Sequence, residues 1–271
     1  MSYAGAMTSQ LPDGAGVNIR TLSGIKELNL ARAILDEVWP GEDGTQITAN
    51  LLQAMLHNGT YLAGAFFADE IIATAFAFPG VSESKELHLH SHMAAVKEKF
   101  RNRNIGSALK LHQKNWALEH GFKTITWTFD PLVRRNAKLN IIKLGVQVFD
   151  YFEDFYGDLP DALNAGDPTD RVMAHWDLIG NHSALVGAEG AAIALSIADG
   201  KPVEHEVNTP FVLCYLPEDI IEMRSSNSSL SLQWRLALRN QLKPRLANGW
   251  QIAGLTSDGA YILNQLQHVK H

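Results

Sequence analysis

The stretch "HLHSH", residues 88–92, places three histidines at alternate positions, the spacing that puts side chains on one face of a β-strand. Imidazoles titrate near neutrality, so His90 or His92 could deprotonate an ammonium, directly or through water. Two other readings stand beside this one. A histidine here could be structural, bonded to backbone. The His-x-His pattern of His88, His90 and His92 could also give two ligands to a metal, but no Asp, Glu or Cys sits at a matching spacing beside it. No metal is expected. Asp130 closes "TITWTFD", where a carboxylate could act as base, hold an ammonium, or simply cap the following loop. Between these points runs "KFRNRNIGSALKLHQK", residues 99–114, a basic turn that feeds a helix. A helix N-terminus offers unpaired backbone N–H groups and partial positive charge. Arg101 and Arg103 add two full charges, Gly106 permits close approach of a ligand, and Asn104 is among the few non-glycine residues that accept positive φ. That is the physics of a pyrophosphate cradle. Neither GxGxxG nor GxxxxGK[ST] occurs, which excludes the Rossmann and P-loop versions of it.

The rest of the chain bounds what such a cradle serves. The 271 residues are enough for one large or two modest domains, with 46% hydrophobic and 19% charged residues. A net charge of −6 argues against a nucleic-acid or anionic-membrane binder, so a local basic cluster points to a small anion. One cysteine, Cys214, lies inside the apolar run "FVLCYL". It excludes a disulfide framework and implies a reducing, cytoplasmic setting. No run approaches the ~20 apolar residues of a membrane span, and residues 1–16 read as a loose tail without signal-peptide character.

The elements that must position these residues follow from periodicity. Strands are expected at 17–22, at 60–80 as a pair joined at Asp69-Glu70, at 85–96, 124–130 and 171–178, and around "VQVFDYF". Helices are expected at 24–40, at 45–59 with Thr45 as N-cap, from the basic turn to about His120, and at 134–145. On the helix after the basic turn, Ile105, Ala108, Leu109, His112 and Trp116 are expected to face inward, with Lys110, Gln113 and Lys114 turned away. Residues 181–206, rich in Ala and Gly, read as a linker. Beyond it come a strand at "PFVLCYLP", a helix kinked or interrupted at Pro244, and a hairpin around Asp258-Gly259.

Strand, basic turn, helix, strand and helix in this order resemble the GNAT acyltransferase superfamily. That family carries V-x-P-x-[YF]-[QR]-G-x-G-[IV]-G between a strand and a helix, and Val96, Phe100, Arg101, Asn104, Ile105 and Gly106 follow it here. Asn102 and Asn104 stand where the family has glycine. A second register, Arg103-x-x-Gly106-x-Ala108, meets a [QR]-x-x-G-x-[GA] pattern. Between Leu89 and Leu178, "LHSHM", "ITWTFDPL", "RNA", "KLG", "FYG" and "WDL" are similar to a subgroup of predicted acetyltransferases of this superfamily, as are the later "WRLALR" and "NGWQIAG".

The resemblance implies a mixed α/β sheet of GNAT type over residues 17–180, and a C-terminal α/β extension over 207–271. It implies acetyl-CoA as cosubstrate, with its pyrophosphate on Arg101, Asn102, Arg103, Asn104, Ile105, Gly106 and Ser107. The pantetheine arm would pair with the strand edge at Ala94, Ala95 and Val96 and meet Asn136. A backbone N–H near Met93 or Ala94 would take the oxyanion. His92, His90 and Asp130 are then the candidates for proton transfer, and Trp39 and Asn140 for acceptor binding. The expected partner is a small-molecule amine, with no nucleic acid and no membrane, and with a homodimer possible. One position departs from the pattern: Ile141 stands where many members have a tyrosine that protonates the leaving thiolate, leaving Tyr151, Tyr156 or solvent. A non-catalytic acyl-CoA sensor is therefore the alternative function, and a dimerisation role for the C-terminal segment a third.

Overall fold

In the computed structural model, residues 16–39, 47–157, 167–180 and 187–265 are described, together with the backbone of Thr8–Gln10. The chain divides into two compact units, Met1–Trp127 and Thr128–His271.

In the first unit, β1 (Thr8–Gln10), β2 (Gly16–Thr21), β3 (Tyr61–Phe67), β4 (Glu70–Val81) and β5 (Leu87–Val96) form an antiparallel run. β5 then pairs in parallel with β6 (Thr124–Phe129), so the sheet is mixed. Helices α1 (Gly24–Val38) and α2 (Ala49–His57) supply an apolar cluster in which Leu28, Ile34, Leu35 and Leu52 pack with Leu62 and Phe76 of the sheet. Helix α3 (Ile105–Glu119) packs on β3, β4 and β5. With cover from both α1/α2 and α3, β3 and β4 read as continuous apolar runs rather than alternating ones.

The β3–β4 turn lies one residue earlier than expected, at Ala68-Asp69, both with positive φ (47° and 65°). Two left-handed residues match the twist of a two-residue hairpin. The expected N-cap Thr45 lies outside the described residues; Thr48 caps α2 by accepting from the Leu51 N–H. On α3 the buried positions are Ile105, Leu109, Lys110, Gln113 and Ala117, so the outward placing of Lys110 and Gln113 is corrected. The fourfold spacing of 105, 109, 113 and 117 sets an inward stripe that includes Gln113 and is flanked by Lys110, both of which hydropathy alone had turned outward.

In the second unit, α4 (Arg134–Ala137) continues as a π-helical turn over Lys138–Lys143. β7 (Gln147–Phe152) pairs with β8 (Arg171–Asp177) and with β12 (Trp250–Leu255), and β12 with β13 (Ala260–Gln265). β13 pairs with β11 (Phe211–Tyr215), β11 with β9 (Ala192–Ala198), and β9 with β10 (Lys201–Glu204). The stretch expected as a linker thus contains a hairpin turning at Asp199-Gly200, both at positive φ. Its small residues fit a strand that is itself packed, since Ala194 and Leu195 are fully buried. A short helix not anticipated from the sequence, α5 (Ile220–Ser226), is capped by Asp219, whose carboxylate accepts from the Ile221 and Glu222 N–H groups. Helix α6 (Ser228–Ala247) runs through Pro244 without interruption. Buried Leu242 and Leu246 hold its last turn, and Arg245 donates to the Gln241 carbonyl.

Candidate active site

Strand β5 is the spine of the site. Its pairing with β4 shifts register between Phe76↔Met93 and Ala77↔Ser91, so His92 is the extra residue of a β-bulge, a device that re-aims a side chain and leaves one residue outside the ladder. Pairing with β6 comprises only Leu89↔Ile125 and His90↔Thr126. From Ser91 to Val96 the β6-facing edge of β5 therefore carries backbone donors and acceptors outside the β5–β6 ladder. Ala94 is exposed and Val96 half-buried, while Ala95 faces the α1/α2 core.

That edge runs directly into the basic turn. A 3-10 turn spans Glu98–Phe100. Asn102 and Asn104 then both take the left-handed conformation, φ 63° and 59°, which asparagine tolerates better than any residue except glycine. Asn104 is the N-cap of α3, yet its side chain does not cap it. The first intrahelical bond is Ala108 N–H to the Asn104 carbonyl, so the N–H groups of Ile105, Gly106 and Ser107 precede the ladder. A Cβ built on Gly106 meets nothing within 4 Å. The charges are sorted around this turn. Lys97 and Lys99 both bind Glu70, at 2.8 and 3.2 Å. Arg101 reaches the Val96 carbonyl, and Arg103 lies over the Phe100 ring.

The histidines sit among aromatic rings. Phe78 lies 5.2 Å from His90 and 5.7 Å from His92, centroid to centroid, and Phe76 is 6.3 Å from His92. His90 shares a 3.2 Å hydrogen bond with Thr126. Burial, followed by the neighbouring His92, His88 and Lys110, pushes His90 down to about 4. Desolvation lowers His92 as well. Both imidazoles are thus neutral at physiological pH, with a free lone pair for a proton. His92, at the bulge, is the more exposed of the two.

Two residues of this layer escaped sequence reasoning. Lys110 is buried on α3; its Nζ donates to Ser91 Oγ at 2.8 Å and lies 3.6 Å from the centre of the Trp127 ring. Burial lowers its pKa to about 7. Gln113, one turn on, is fully buried with neither side-chain atom hydrogen-bonded. The fourfold spacing of 105, 109, 113 and 117 was the available signal for Gln113, whereas Lys110 flanks that stripe.

The remaining candidates divide. Trp39 follows α1 and packs against the α1/α2 core. In the second unit, Asn136 is half-buried on α4, whereas Asn140 is buried in the π turn beside equally buried Ile141. Asp130 is buried, with Arg235 donating to both of its oxygens at 2.9 Å and Arg224 to one at 2.5 Å. Burial alone would raise its pKa, but the two guanidiniums outweigh burial and hold the carboxyl well below its usual range. A carboxylate so held is a poor proton acceptor, and Asp130 belongs to an ion cluster. Tyr151 donates to Asp170, and burial together with that carboxylate raises its pKa. The Tyr156 hydroxyl shares a 2.9 Å bond with Thr128.

Residues 28–139 match the family model described as the Acetyltransferase (GNAT) family. Solved structures to which the chain is similar include an acetyltransferase of the GNAT family from Streptococcus pneumoniae, at 16% identity and TM-score 0.48, covering 59% of this chain and 98% of that one. Another is Arabidopsis thaliana Naa50 in complex with the bisubstrate analogue CoA-Ac-MVNAL, at 16% and 0.46, covering 59% and 97%. A third is a GNAT family acetyltransferase from Elizabethkingia anophelis with acetyl-CoA bound, at 20% and 0.45, covering 59% and 97%. A search of curated protein sequences finds no match. Among the described residues no helix is long and apolar enough to cross a membrane.

Proposed function

We propose that the chain, which matches the GNAT acetyltransferase family model over residues 28–139, moves an acetyl group from acetyl-CoA to the amine of a small molecule by direct attack on the thioester. The observation that carries this reading is the edge of β5 from Ser91 to Val96, which begins at the His92 bulge and ends at the left-handed Asn102/Asn104 turn. Such an edge can take an extended amide chain as an added strand. The Ile105, Gly106 and Ser107 N–H groups, with Arg101 and Arg103, would hold the pyrophosphate. The backbone at Met93 or Ala94 would hold the carbonyl oxygen as charge develops there. His92 would take the proton from the attacking ammonium, because His90 at about 4 is too weak a base near neutrality. The amine nitrogen bonds to the carbonyl carbon, the C–S bond breaks, and the thiolate leaves to take a proton. The acceptor is read as small because the chain carries −6 overall and no basic track for a polymer. A cytoplasmic setting rests on the single cysteine, Cys214, which is buried with its thiol pushed up to about 12 by desolvation.

A second reading, an acyl-CoA sensor without turnover, draws on Ile141, buried where a tyrosine acid would stand, and on Tyr151, held by Asp170. Isothermal titration with acetyl-CoA, then thiol release across panels of amines and N-terminal peptides, separates the two. Saturable binding with release for an amine supports transfer. Binding with no release supports the sensor, and no binding overturns both. Arg101→Ala combined with Gly106→Asp is expected to weaken acetyl-CoA binding at least about tenfold, through lost charge and lost approach.

A further inference from the structure

The second unit contains a cavity of about 350 Å³ at the start of α6, lined by Asp167, Arg224, Ser228, Ser229 and Ser231 among others. We propose that it is a binding site for a free α-amino acid, held as its zwitterion. None of these residues lies in the matched segment 28–139, and the inference is independent of the acetyl-transfer reading. The volume falls in the range of small-molecule sites.

Three features fix the chemistry. First, Ser228 and Ser229 are the opening residues of a 20-residue helix. Asn227 takes the Leu230 and Ser231 N–H groups, so the ladder begins after them, and the N-terminal dipole favours a negative group. The Arg224 guanidinium, already bound to Asp130 and Asp167, adds positive charge on the same side. Second, Ser231 is 1% exposed, yet its hydroxyl has no hydrogen-bond partner. Third, Asp167, with a side chain 5% exposed, uses only one of its oxygens. Its Oδ2 accepts from Arg224 Nε at 3.1 Å and from Arg235 Nε and NH2 at 3.3 and 3.0 Å, while Oδ1 has no partner. Buried polar atoms left in this way are costly and mark a place where a partner belongs.

The two vacant valences have different needs. Asp167 Oδ1 can only accept, so its partner must be a donor. The helix start and the serine hydroxyls call for an anion. A simple anion would meet the Asp167 carboxylate, and a simple cation would meet the helix N-terminus and Arg224. A molecule with a carboxylate and an ammonium on one carbon satisfies both sides, with the carboxylate toward Ser228, Ser229 and Ser231 and the ammonium toward Asp167.

Thermal shift and titration calorimetry on the full chain would test this with the standard L-amino acids, and with propionate, propylamine and inorganic phosphate as comparators. At least one amino acid is expected to bind saturably, and the comparators not. Ser231→Ala, which leaves the fold intact because its hydroxyl bonds to nothing in the protein, should weaken that binding about tenfold. Should Ser231→Ala lower the unliganded midpoint, Ser229→Leu at an exposed helical position would close the cavity instead and abolish binding. The proposal is overturned if no amino acid binds up to about 10 mM, if a comparator binds as well, or if binding survives Ser229→Leu unchanged.

Discussion

Each of the two units buries charge, and they do so in opposite ways. In the second unit, Asp130 and Asp167 lie against Arg224 and Arg235, and every one of these side chains is at most 8% exposed. Arg235 gains from this despite its burial, its pKa raised by Asp130 and then Asp167. In the first unit, Lys110 is also buried, but it donates to a serine hydroxyl and lies over an indole face. A charge matched by opposite charge stays fixed at all physiological pH values. A charge matched only by dipoles titrates within that range, and Lys110 accordingly falls to about 7. The cluster is a structural element, whereas the lysine responds to conditions.

Removing a partner from each side tests the contrast. Asp130→Asn removes the carboxylate that Arg224 and Arg235 share, and is expected to cost ~3–5 kcal/mol in urea unfolding, as for other broken buried pairs. The loss should be nearly flat from pH 6 to pH 9, because Asp130 is held below its usual range and Arg235 above its own; a steep slope would break the comparison. Lys110→Met should act in the other direction. The folded lysine binds its proton less well than the unfolded one, about 7 against 10.5. Stability of the natural chain should thus be lowest below pH 7 and rise with pH through that window, by about 1.4 kcal/mol per pH unit. The methionine variant should lose this slope and be the more stable protein at pH 6, by a few kcal/mol at most. Equal slopes for the two proteins would show the amine is already paired. The smallest effect is expected for Ser91→Ala, about 1 kcal/mol, with the rising limb displaced to lower pH because the ammonium loses its acceptor.

The same contrast explains what the sequence disclosed. The strand–turn–helix around residues 87–119 was legible because period, basic charge and tolerance for positive φ are local properties, and Asn104 has the φ those properties demanded. The bulge at His92 was not, because a register shift depends on the partner strand. Asp130 read as a candidate base because its arginines lie 94 and 105 residues further along the chain, beyond any local pattern. Lys110 read as solvated because hydropathy assigns a lysine to water. Only the fold supplies the Ser91 hydroxyl and the Trp127 face that let it lie inside. The strands at 192–204 were hidden by composition, since small residues mark both linkers and tightly packed strands.

The left-handed asparagines of the turn before α3 have a consequence for how quickly and at what entropic cost a ligand is received. Glycine at Asn102 and Asn104 would leave the empty turn many conformations to lose on binding. Asparagine narrows that ensemble during folding, so the turn stands ready before any ligand arrives. Association at such a loop should proceed without a slow ordering phase, and the asparagines would serve as a device for speed.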